Sequence, residues 1–219
     1  VKTDYELKPE SDGKYQLKTR FAKFTNLPEL MAIFKEAADI RTADTLDLEK
    51  PKAVVTEVVA KPSKIQKKAI KSLGKRAAKI RNGNVDPRDD NMLKITNDGR
   101  KLALDQRLMN DMLPDSETSK VSACADNVFD IWQRTAESRS TQMVFCDLST
   151  PHNDGKFNVY DDLRKKLIEK GIPAEEIAYI HTAETETKKK ELFGKVRSGQ
   201  IRVLLGSTQK MGAGTNVQT

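Results

Sequence analysis

Between Ile201 and Gln218 the chain reads IRVLLGSTQKMGAGTNVQ. The latter part of this run collects groups that suit phosphate and sugar oxygens: the hydroxyls of Ser207 and Thr208, the amides of Gln209 and Asn216 and the ammonium of Lys210. Gly206, Gly212 and Gly214 leave the main chain bare enough to come close to a ligand. Ahead of them, Ile201, Val203, Leu204 and Leu205 form a short branched apolar run that suits a buried parallel strand. Ligands of an open α/β sheet sit beyond the carboxyl ends of its strands, so the run describes a strand delivering an anion-binding turn. Glycines after a strand are equally a plain tight turn. What decides between the two is the architecture around them.

That architecture is legible from Ser119 onward. Ser119 opens a helix whose Val121, Ala125, Val128, Phe129 and Trp132 fall on one side, with Trp132 in the core. A strand over Gln142 to Leu148 follows, then a helix from Asn158 to Lys170 closed by Gly171. A strand over Ile177 to Ile180 leads to His181, and a helix from Glu186 to Arg197 ends at Gly199. Short apolar strands alternating with ten-residue helices predict a parallel, helix-covered sheet. The strand ends at Asp147, His181 and Gly206 then share one edge. His181 at such an end either contacts a phosphate or fills a strand-to-loop corner. Asp147 and Asp154 are not spaced as a catalytic pair and read as loop caps. Lys188, Lys189 and Lys190 read as a solvated helix start.

The first half is less regular. Residues Val1 to Leu48 mix charged and apolar types without a strong period, apart from a helix around TNLPELMAIFKEAADI. Ala53 to Ala60, AVVTEVVA, predicts a strand between Pro51 and Pro62. Ser63 and Gln66 form a capping box for a helix to Arg81, which buries Ile65, Ala69, Leu73, Ala77 and Ile80. On another face lie Lys64, Lys68, Lys71, Lys75 and Lys79. Lys61 to Arg81 holds nine basic residues and no acidic one, so a chain of net charge +7 sums to −2 without them. The face is either solvated surface or a contact for a polyanion. Asn82, Gly83 and Asn84 end the helix; Asp86 to Asp90 reads as a loop, and a shorter helix is expected near Lys101 to Met112. A boundary falls at Leu113 to Glu117.

Composition closes off other classes. No apolar run is long enough to span a bilayer and the amino end lacks a secretory core, so a cytoplasmic protein without membrane contact is expected. Cys124 and Cys146, with two histidines and no CxxC pair, read as buried free thiols and not as a zinc site.

The order of these motifs resembles the second, RecA-like motor lobe of superfamily 2 helicases and translocases, nearest the Swi/Snf-like branch. Ser119 and Lys120 before the first strand, the Phe-bearing QMVFCDL, the Ser198-Gly199 closure and GSTQKMGAGTN match that branch's succession. The last resembles its motif V, a serine and threonine followed by GxGxN. Pro51, Lys52, Val54 to Val59 and Gln66 look like the end of its first lobe. The wording NMLKITNDGRKLALDQRL, QMVFCDLSTP and LLGSTQKMGAGTNVQ is similar to large phage, plasmid and conjugative-element proteins that join an adenine methylase region to such a helicase.

The resemblance implies an α/β chain: an incomplete RecA-like parallel sheet flanked by helices over 116–219, preceded by a mostly helical segment, 1–115, that holds the end of the first lobe. It implies that Ser207 and Thr208 touch a nucleic-acid backbone and that Gly212, Gly214 and Asn216 line a cleft for ATP and magnesium shared with a first motor lobe. Gln209 and Lys210 stand where the branch has an arginine, leaving Lys210 as its substitute. DNA is the implied partner, with an adenine methylase region in the parent protein. No GxxxxGK with a following hydroxyl and no DExx box occur, so this stretch alone is expected not to hydrolyse ATP. Two other readings stay open: a non-catalytic scaffold whose basic helix binds an acidic partner, and a small-molecule enzyme using the GAG turn for a nucleotide, which lacks the acidic ribose partner.

Overall fold

A computed structural model describes residues 2–9, 15–23, 25–41, 53–151, 155–212 and 217. The chain divides into two compact units, Val1–Val55 and Thr56–Thr219. Residues 56–115, grouped by sequence with the first segment, belong to the second unit.

The first unit contains a hairpin that the sequence reading did not foresee. Strands β1 (Lys2–Pro9) and β2 (Tyr15–Lys23) run antiparallel, with Tyr5 opposite Thr19 and Leu7 opposite Leu17. The segment 1–115, expected to be mostly helical, thus carries this hairpin beside its helices. Helix α1 (Leu27–Ala37) follows as expected, with Pro28 in its first turn, where the missing N–H costs nothing. Its Leu30, Ile33 and Phe34 are exposed.

Ala53 to Ala60, expected as a strand, forms none, and Val54 and Val55 are 87% and 90% exposed. Branched side chains favour a pleated surface only when a neighbouring strand supplies one, and among the described residues none pairs here. Helix α2 (Lys64–Arg81) begins at the expected capping box. Ser63 Oγ accepts from the Gln66 N–H at 3.0 Å, and Gln66 Oε1 accepts from the Ser63 N–H at 2.8 Å. The same two side chains reach out of the helix: Ser63 Oγ donates to Gln106 Oε1 at 2.7 Å and Gln66 Nε2 to the Leu102 carbonyl at 2.8 Å. Ser63→Ala breaks both roles. It is expected to lower stability by about 1–2 kcal/mol, near the top of the range for caps, which a urea titration followed by circular dichroism would register.

Helix α3 (Met92–Leu104) replaces the helix expected near 101–112; a 3-10 turn at Gln106–Leu108 is all that lies beyond it. Asn97, Asp98 and Gly99 together look like a turn, yet the helix runs through them. Ile95 and Leu102, seven residues apart on one face, are buried. Asp98 accepts from Arg76 of α2 at 2.8 Å, and Arg76 also grips both oxygens of Asp90. Those carboxylates, Asp90 foremost, push the Arg76 guanidinium further up, outweighing the effect of burial, and Arg76 in turn holds Asp90 below its ordinary range.

The sheet has the expected plan. Strands β3 (Gln142–Phe145), β4 (Ile177–Tyr179) and β5 (Val203–Gly206) are parallel in the order β3-β5-β4, with Gln142 and Ile177 both opposite Val203. Side chains alternate across β5, which is buried throughout. Val203 and Leu205 join the cluster of Val121, Ala125 and Val128 from α4 (Lys120–Arg134) and Tyr160, Leu163 and Leu167 from α5 (Val159–Glu169). Leu204 faces the other way, into Leu192 and Val196 of α6 (Glu186–Arg197). Ser119, Asn158 and Thr185 each cap the helix they precede, accepting the N–H three residues on. Among the described residues no helix is long and apolar enough to cross a membrane.

Two polar networks lock these pieces. Arg107, in the 3-10 turn, bonds both oxygens of Asp105 and both of Asp162 on α5 at 2.7 to 3.0 Å, and it reaches Asp115 at 2.9 Å. Lys166 closes on Asp115, and the Phe157 ring lies 4.2 Å from the guanidinium. At the amino end of the sheet Arg202, only 2% exposed, donates to the carbonyls of Trp132 and Thr135 at 2.6 and 3.0 Å. Trp132 packs against the core as expected, and its Nε1 donates to Glu176 at 2.7 Å.

Candidate nucleic-acid interface at the sheet edge

Parallel strands end on one edge, and here that edge brings together Asp147 after β3, His181 after β4 and Ser207 after β5. Gly206 is the pivot. A Cβ there would lie 2.5 Å from Ile180 Cγ2 and 2.6 Å from Met211 Sδ, so only glycine lets the single turn α7 (Thr208–Met211) fold back against the strand ends. Ser207 caps that turn, and its backbone carbonyl accepts from the N–H groups of Lys210 and Met211 at 3.0 Å. Asp147 fastens the turn from the neighbouring strand: Oδ1 accepts from the Thr208 N–H at 2.6 Å and Oδ2 from its hydroxyl at 2.9 Å.

These bonds separate the sequence-nominated residues into groups used internally and groups left outward. Ser207 is 7% exposed and acts as a cap. Thr208 is exposed, but its hydroxyl and amide are held by Asp147. Gln209 and Lys210 are exposed, and among the described residues no carboxylate meets the Lys210 ammonium. Gly212 is exposed and ends the turn. Gly214 and Asn216 lie outside the described residues. His181 is half-buried in the 3-10 turn Ile180–Thr182, its ring meeting the edge of Tyr160 at 5.3 Å. Tyr160 is buried and donates its hydroxyl to the Cys146 carbonyl. Burial pushes the Tyr160 hydroxyl well up, with Cys146 and Asp147 adding to the effect, so it stays a neutral donor. Lys64, Lys68, Lys71 and Lys75 are all exposed on α2, which packs on α3; none of them bonds to the turn.

Sequence reasoning missed how much of this edge is internal scaffolding. Asp147 was legible as a loop cap, but the segment it caps is 61 residues away along the chain. Cys124 and Cys146 are free and only half-buried, not enclosed as expected; burial still pushes both thiols up. Among the described residues, carboxylate oxygens of Asp105, Asp115 and Asp162 gather within 4.8 Å of one another, as a metal would require. Arg107 and Lys166 already supply the cations there, which makes the trio an ion-pair network.

Fold and site thus define an α/β unit with a small parallel sheet flanked by helices and a capped, partly cationic turn at the carboxyl edge. No protein-family model, no curated protein and no solved structure matches the chain.

Proposed function

We propose that the chain is part of an ATP-dependent DNA helicase or translocase of the superfamily 2, Swi/Snf-like kind, and that its sheet is the core of a RecA-like second motor lobe. The supporting observation is the meeting of three parallel strand ends at one edge with Lys210 and Gln209 turned outward there. In this reading the α7 turn meets the nucleic-acid backbone through Gln209 and Lys210, with Ser207 and Thr208 shaping the turn and exposing little of their own polarity. ATP with magnesium would sit between this lobe and a first lobe of the same protein, toward Gly212 and the Gly214 and Asn216 that follow. ATP would supply the phosphoryl chemistry; this chain's part is to position and to bind. An adenine methylase region in the parent protein and a cytoplasmic setting belong to the same proposal.

Binding of a labelled DNA duplex, measured against salt, tests it. Lys210→Glu removes one cation from the turn without touching an internal bond. It is expected to weaken binding several-fold and to reduce the log-log salt slope by about one. An unchanged slope would remove the turn from the interface. A second reading, a non-catalytic protein-interaction module, is favoured by the internal use of Ser207 and Thr208. It expects no DNA binding by the unaltered chain at physiological salt.

A further inference from the structure

Helix α2 sorts its cations. Arg76 is turned toward α3 and held by Asp90 and Asp98, so its charge is answered within the fold. Lys64, Lys67, Lys68, Lys71, Lys75 and Lys79 are all exposed, and among the described residues none meets a carboxylate. At 100° per residue these six occupy an arc of about 120°, and they extend about 22 Å along the axis. Lys166, Lys170 and Lys189, by contrast, have carboxylate partners in Asp115, Asp126 and Glu186. Six like charges on one face repel one another, and the helix bears this because its other side is fixed. The Gln66 bond to Leu102 and the Arg76 bond to Asp98 hold it to α3.

The residues between the lysines narrow the partner. Ser72, Gly74 and Ala78 are exposed on or beside the same arc, and a Cβ on Gly74 would meet nothing within 4 Å. The arc carries no aromatic or large aliphatic side chain. Protein interfaces depend on a buried aromatic or aliphatic anchor, which this face lacks. Single-stranded nucleic acid is bound by stacking bases on aromatic side chains, and these are lacking too. Lysine ammonium groups without planar hydrogen-bonding companions act as point charges on phosphates and do not read base edges.

We infer that this face of α2 lies along the phosphate backbone of a nucleic-acid duplex, without regard to sequence, as a tether separate from the α7 turn. It shares only the class of partner with the motor reading, and different residues carry it. A 22 Å row of ammonium groups spans about six base pairs at 3.4 Å each.

Fluorescence anisotropy of the full chain with a labelled duplex of about sixteen base pairs, and with either strand alone, from about 50 to 200 mM salt, tests the inference. The chain is expected to bind duplexes of unrelated sequence alike, with a log-log slope of about −3 to −5, and to bind the single strand more weakly. Lys68→Glu, Lys71→Glu and Lys75→Glu together are expected to reduce the slope by about three and affinity more than tenfold. The same three positions changed to Arg should retain both. A thermal melt of each variant accompanies the titration, and all three side chains are exposed, so the fold is expected to persist. A Glu variant that binds as the parent does, a preference for single strand, or tighter binding to polyglutamate than to duplex would overturn the inference. Loss on the Glu triple with no effect of Lys210→Glu would uphold the tether and count against the motor reading alone.

Discussion

Arg107→Ala is expected to lower the stability of the Thr56–Thr219 unit by about 3–5 kcal/mol, because it leaves buried carboxylates without their cation. Asp105 is fully enclosed and Asp162 half-buried, and Arg107 supplies a paired bond to each. Burial alone would push the guanidinium down; Asp105 and Asp162 outweigh it and hold it up, so it stays charged throughout the accessible range. The same arginine ties the 3-10 turn to α5, so its loss should also loosen α3 from the sheet. Arg107→Lys keeps the charge but not the fork and is expected to fall between the two. Chemical denaturation followed by circular dichroism measures this; a loss under about 1 kcal/mol for the alanine variant would show the network to be ornamental. The network also sets an acid limit. Burial pushes the Asp115 carboxyl up, but Lys166, Arg107 and the Ser116 N–H outweigh it and hold the carboxyl below its usual value. A carboxyl lowered by folding contributes stability above its unfolded value, near pH 3.9, and loses it as pH falls through the folded value. The unit should therefore weaken below about pH 4, and Asp115→Asn should flatten that part of the profile.

The second large effect is expected at the opposite end of the sheet. Arg202→Ala removes the donor to the Trp132 and Thr135 carbonyls and to the Thr135 hydroxyl at 2.9 Å, and the cation stacked 5.0 Å from the Trp132 ring. Buried acceptors are left open and a side-chain-sized void appears beside β5, together about 3–5 kcal/mol. Burial lowers the Arg202 guanidinium and Arg139 adds to that, while Glu176, about 4.0 Å away, opposes. Glu176 keeps Arg139 at 2.9 Å and the Trp132 Nε1–H, so the loss should not be larger. Trp132 is the one tryptophan of the chain, so its emission is expected to report the change directly. Unchanged emission and an unshifted denaturation midpoint would contradict the role given to Arg202.

What the sequence made readable was whatever local chemistry decides. Ser63, Ser119, Asn158 and Thr185 announce helix starts because a side-chain oxygen three residues ahead of a bare N–H acts without tertiary help. Gly171 and Gly199, with φ of +108° and +69°, mark helix ends for the same local reason. The apolar β5 was readable because a fully buried strand needs no alternation. Elements that depend on a distant partner were not readable. AVVTEVVA has strand propensity and no described neighbour to pair with, so propensity misled. The α3 helix runs through Asn97-Asp98-Gly99 because Arg76 and the buried Ile95 and Leu102 hold it, and none of that is local. The hairpin β1-β2 did leave a trace in the alternating Tyr15, Leu17, Thr19 and Phe21, which was too short and too mixed with charge to stand out. Arg202 inside the apolar IRVLL was a signal in plain view: a lone charge in a buried run must have a partner. At the candidate edge, sequence named the residues that gather there but not their orientation, which Asp147 sets for Thr208 from another strand.

Site-specific crosslinking tests the orientation of that edge most directly. A benzophenone side chain placed at Gln209, exposed on the α7 turn, is expected to crosslink to labelled duplex DNA on irradiation. The same group at Arg134, exposed at the carboxyl end of α4, should not. Crosslinking at Gln209 that fades with rising salt is the result the account requires. DNA capture at Arg134 with none at Gln209, or at neither position while the chain still binds DNA, would place the nucleic acid elsewhere and contradict it.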